Sequence, residues 1–82
     1  MLKVAVTQRR FRKAANGSVA DLWVDVGALL FEMELYENGS LVEKKRGLKP
    51  RHEELDTVLT GRDFAALVHI SPNGYVRCTW SR

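Results

Sequence analysis

Three Asn-Gly pairs, Asn16-Gly17, Asn38-Gly39 and Asn73-Gly74, constrain this 82-residue chain more than any other feature. Both residue types tolerate the positive φ that a two-residue hairpin turn demands, so an Asn-Gly between strand-like runs predicts a hairpin. Around Asn38-Gly39 the signal is clearest. Phe31, Met33 and Leu35 alternate with Leu30, Glu32, Glu34 and Tyr36, and Ser40 to Lys45 continues in extended style. A two-residue loop there pairs Glu37 with Ser40, Tyr36 with Leu41, Leu35 with Val42, Met33 with Lys44 and Glu32 with Lys45. Asn16-Gly17 closes Leu2–Lys13 onto Val19–Asp25, which sets Ala15 opposite Ser18, Arg12 opposite Asp21, Phe11 opposite Leu22 and Arg10 opposite Trp23. That register matches charge with charge and apolar with apolar. Gly27 then marks a bend or bulge, or a reversal within Asp25–Ala28.

Residues 48–61 change character. Pro50 suits a first helical turn, Glu53 and Glu54 suit the positive end of a helix dipole, and Gly61 suits a C-terminal stop. Leu55, Val58 and Leu59 follow helical spacing, which predicts one short helix near 50–60. The rival is a strand at Asp56–Leu59, because Thr57-Val58-Leu59-Thr60 is β-favourable. Phe64–Ile70, apolar on both faces apart from His69, reads as a central strand buried on both sides, with a helix over 62–69 as the competing reading. Ser71-Pro72-Asn73-Gly74 turns it back into Tyr75–Trp80 through type I chemistry followed by a positive-φ residue. The order is β-β-β-β-α-β-β: one small α+β domain over 1–82, a mainly antiparallel sheet of about six strands with one helix. Its expected core is Val4, Val6, Leu22, Val24, Phe31, Met33, Leu35, Leu55, Val58, Leu59, Leu67 and Val76.

Composition narrows the function classes. At 45% hydrophobic and 28% charged, the chain matches a globular domain and not a disordered one. No apolar run approaches the ~20 residues of a membrane-spanning helix, and the N-terminus lacks the apolar core of a secretory signal. A single cysteine, Cys78, excludes an internal disulfide and fits a reducing compartment, so a cytoplasmic location is expected.

Catalytic signals are thin, and the reading is non-enzymatic. His69 and Cys78 could lie diagonally on one face of the last hairpin as a Cys-His dyad, but nothing around them resembles an oxyanion loop. His52-Glu53-Glu54 lacks the second histidine of a zinc helix, its place being held by Asp56. Glu32, Glu34 and Glu43 could gather on one sheet face, where carboxylates are usually just solvated. The glycines are scattered singly and cradle no phosphate. No catalytic, cofactor, metal or small-molecule site is assigned, and a membrane-surface role lacks its basic amphipathic helix.

Charge is blocked along the chain. Residues 1–13 carry five cations and no acid, 21–43 six acids and no base, and 44–51 five cations again. Gathered into a patch, Arg9, Arg10, Arg12, Lys13, Lys44, Lys45 and Arg46 would contact phosphates, with Trp23 as a stacking platform for a base. Facing the acidic strands across a sheet, they would cancel instead. The hairpin also leaves Leu30, Tyr36 and Leu41 on the face opposite Phe31, Met33 and Leu35, so part-apolar surface remains for another chain. The expected function is therefore protein–protein interaction through a sheet face or edge, as a homodimer or an accessory or inhibitory protein. Nucleic-acid binding through strand 9–13 and segment 44–51 is the alternative.

Overall fold

In the computed structural model, which describes residues 7–81, the first two Asn-Gly pairs turn the chain as their chemistry demands. Asn16 and Gly17 take φ of 53° and 81°, Asn38 and Gly39 take 51° and 86°, left-handed geometry at both central positions of each turn. Four strands, β1 (Thr7–Ala15), β2 (Ser18–Val26), β3 (Leu30–Glu37) and β4 (Ser40–Leu48), form an antiparallel meander. The β1–β2 register is the one read from the sequence, from Ala15 opposite Ser18 to Arg10 opposite Trp23. At Gly27 the chain reverses, and the Gly27 N–H donates to the Leu30 carbonyl at 2.8 Å.

The β3–β4 register departs from expectation after its first two pairs. Glu37 faces Ser40 and Tyr36 faces Leu41, but a bulge at Val42 then sets Leu35 opposite Glu43, Met33 opposite Lys45 and Glu32 opposite Arg46. One inserted residue flips every later side chain to the other face. Glu43 and Lys45 therefore share a face with the core residues, while Lys44 and Arg46 join Glu32 and Glu34 on the outer one.

The second half corrects the fold class. Its three strands, β5 (Leu55–Thr60), β6 (Ala65–Ile70) and β7 (Val76–Ser81), form a second antiparallel sheet, and no helix occurs among the described residues. Over the described residues the protein is all-β, seven strands in two sheets, and the expected helix near 50–60 is absent. Leu55, Val58 and Leu59 fit a helix, but Leu55, Thr57 and Leu59 fit a strand face equally well. The β-branched run of Thr57, Val58 and Thr60 favours the strand. In β5 the pattern resolves as Leu55 and Leu59 inward and Val58 outward, 43% exposed. β6 is central in its sheet as expected, but only one of its faces is covered: Leu67 is 45% exposed. The last turn has its expected form, with Gly74 at φ 87° and its N–H donating to the Ser71 carbonyl at 2.9 Å.

Both sheets contribute to one core. Ala20, Leu22, Val24, Val26, Phe31, Met33 and Leu35 of the first meet Leu59, Ala66, Val68, Ile70 and Val76 of the second, and Phe64 meets Trp80 edge to face at 6.2 Å. Val58 and Leu67 of the expected core lie outside it, and Val4 and Val6 lie outside the described residues. Polar staples join the sheets at two places. Glu43 accepts the Thr60 N–H at 2.7 Å and Lys45 donates to the Val58 carbonyl at 2.7 Å, so β4 side chains satisfy the open edge of β5. Glu37, only 6% exposed, accepts the N–H groups of Arg62, Asp63 and Phe64 at 2.8–3.0 Å. A Cβ at Gly61 would land on that carboxylate, which is why glycine stands there. No helix among the described residues is long and apolar enough to cross a membrane.

Candidate functional site

The registers fix what the four-stranded sheet shows on the face turned away from the core. Three rows cross it: Arg12, Asp21, Tyr36 and Leu41; Arg10, Trp23, Glu34 and Lys44; Gln8, Asp25, Glu32 and Arg46. Four cations thus stand on the two outer strands and four carboxylates on the two inner ones. The face carries no net charge.

Contacts within and between the rows hold these groups in place. Asp21 accepts from Arg12 Nε at 2.8 Å and from Arg10 at 3.2 Å. The Arg12 hydrogen bond, reinforced by Arg10 and opposed by partial burial, keeps the Asp21 carboxyl below its usual range. Arg10 also lies over the Trp23 ring, 4.7 Å from its centroid, and Lys44 stands 3.5 Å from Glu34. The Tyr36 hydroxyl donates to Glu34 at 3.2 Å. Desolvation, then the Glu34 charge, raise the Tyr36 phenol above its usual value, so it remains a neutral donor.

The residues expected to contact phosphate do not share one surface. Arg10, Arg12, Lys44 and Arg46 line the two margins of the outer face, with the acidic strands between them. By register, Arg9 and Lys13 project to the core side of β1, where Arg9 sits 5.6 Å from the Phe11 ring, and Lys45 is committed to β5. Trp23, 41% exposed, has Arg10 across its ring. The expected interface residues divide as well. Tyr36 and Leu41 form one row near the Asn38 turn, whereas Leu30 pairs with Leu48 at the far end, beside exposed Leu29. Glu43, expected near Glu32 and Glu34, is on the opposite face because of the bulge.

The outer face of the three-stranded sheet was missed in the sequence. There Asp56, His69 and Arg77 form one row, and Val58, Leu67 and Thr79 the next. His69 Nδ1 lies 2.7 Å from Asp56 and Nε2 3.2 Å from Glu54. The Asp56 bond, helped by Glu54 against some desolvation, raises the His69 pKa. Its alternation with Val68 and Ile70 was the available signal. Cys78 pairs with Val68 on the inner side, so the Cys-His dyad does not form. Burial pushes that thiol up to about 11, where it stays protonated and unreactive. Among the described residues, no three His, Cys, Asp or Glu side chains converge as a metal site. No family model matches the chain, and no similar curated protein or solved structure is found.

Proposed function

We infer that this chain is a cytoplasmic, non-enzymatic protein-binding module whose contact face is the outer surface of the four-stranded sheet. One observation carries the reading: exposed Trp23 and Leu41 stand with part-buried Tyr36 on a face whose cations and carboxylates balance. Aromatic anchors ringed by fixed charges are the composition of a protein interface, and a phosphate track needs surplus positive charge instead. The order across the strands is basic, acidic, acidic, basic. Two copies stacked with aligned strands would lay basic edge on basic edge and acid on acid. The pattern therefore favours a foreign partner that lays a basic ridge over Asp25, Glu32 and Glu34.

The test is capture from nuclease-treated extract, with wild type compared against Trp23→Ala and Leu41→Glu. Proteins retained by wild type and lost with both variants, at unchanged melting temperature, are the expected result. Equal retention by all three would remove this face from consideration. Nucleic-acid binding is supported less well, since Asp21 holds two of its arginines and Thr57 and Val58 hold Lys45.

A further inference from the structure

We propose that the outer face of the three-stranded sheet binds a second copy of this chain. This face is separate from the one assigned above and does not rest on it. Val58 and Leu67 leave an apolar centre open to solvent, and a depression of about 310 Å³ runs between Asp56, Val58, Leu67, His69, Arg77 and Thr79. The charges lie on opposite margins: Asp56 on β5 with Glu54 just before it, and Arg77 on β7. A two-fold axis parallel to the strands and over β6 lays β5 of one copy on β7 of the other. Each Asp56 then meets the partner's Arg77, and Leu67 meets its own mate on the axis.

This arrangement satisfies what a symmetric interface must satisfy. Asp56 gives one carboxylate oxygen to His69 Nδ1 and keeps the other for an incoming guanidinium. His69 also meets its mate on the axis, with Glu54 and Asp56 bracketing each ring, so when His69 is protonated its charge and that of Arg77 are matched by the two carboxylates. Arg77 makes no ion pair among the described residues. The four-stranded sheet lacks this self-complementarity, because its two margins are both basic.

Six-residue strands at ~3.3 Å per residue, three abreast at ~4.8 Å, give a face of about 300 Å². That is well under the ~800 Å² per partner of a standard stable interface, so the dimer is weak and concentration-dependent.

Charge reversal in trans tests the proposal by analytical ultracentrifugation. Wild type should rise with concentration from 9.3 kDa toward twice that mass. Asp56→Arg alone sets arginine against Arg77, and Arg77→Asp alone sets carboxylate against Asp56, so each should stay monomeric. Mixed, the two should form a heterodimer in which both pairs are restored. Leu67→Asp, on a half-exposed site, should also be monomeric while keeping its fold by circular dichroism, which separates lost contact from lost structure. A wild type still monomeric at about 1 mM would overturn the proposal. So would a mixture no more associated than its components.

Discussion

Glu37 shows how much one side chain settles in a protein this small. Burial works against its charge, yet three backbone N–H groups, from Arg62, Asp63 and Phe64, hold the carboxyl below its usual range. The folded group binds a proton less readily than the unfolded one. Its contribution is therefore complete above the ordinary carboxylate range and is lost as pH falls through the lowered folded value. Glu37→Gln turns an amide N–H₂ toward backbone donors and should cost about 2–3 kcal/mol. For a domain of this length that means a melting temperature lower by roughly 10 °C or more, read by calorimetry at neutral pH, with a smaller difference in acid. A gap that widens in acid would contradict this account. His69 has the opposite sign: its raised pKa favours the fold below the ordinary histidine range and fades as pH rises through the folded value. Its carboxylate partners are mostly exposed, so the effect on stability is small. An NMR titration should place its midpoint above that of an ordinary histidine.

At the scale of elements, the chain announces its turns more plainly than its strand faces. Asn16-Gly17 and Asn38-Gly39 require positive φ at both residues and leave little choice of loop, so the β1–β2 register was legible to the residue. Val42 carries no such mark. An extra residue in an extended run costs little locally and is decided by what it delivers, here Glu43 and Lys45 to the edge of β5. Deleting Val42 should move both side chains to solvent, bring Lys44 and Arg46 inward, and lower the melting temperature by more than any nearby surface substitution. A deletion variant with wild-type stability would show that the bulge is incidental. Residues 55–60 were misread for a related reason, since three apolar positions in six residues fit either period. The tie was broken by β-branched neighbours and by pairing with Ala65–Ile70, a strand that begins five residues after Thr60. The outer face of the four-stranded sheet was legible as charge blocks, but which β4 cations reached it depended on that bulge.

Across the whole molecule, two sheets share one core and turn two unlike faces outward. One is balanced but not self-complementary, with Trp23, Tyr36 and Leu41 among fixed charges. The other is self-complementary, with Leu67 between Asp56 and Arg77. Under the two proposals above, the module would pair with its own kind on one side and offer a foreign protein the other, doubling the sites each assembly presents. Partner capture should then weaken in Leu67→Asp only through lost avidity, whereas Leu41→Glu should abolish it. On the four-stranded sheet the acidic strands neutralise the basic ones that flank them. Fluorescence anisotropy with single- and double-stranded oligonucleotides, at about 50 mM and about 200 mM salt, puts this neutralisation to the test. A working track of Arg10, Arg12, Lys44 and Arg46 would make four phosphate contacts and lose about a hundredfold in affinity between those salts. The balanced face should show no salt-dependent binding at either. Binding that falls about a hundredfold with salt, and is lost in the Arg10→Ala, Arg12→Ala double variant, would contradict it.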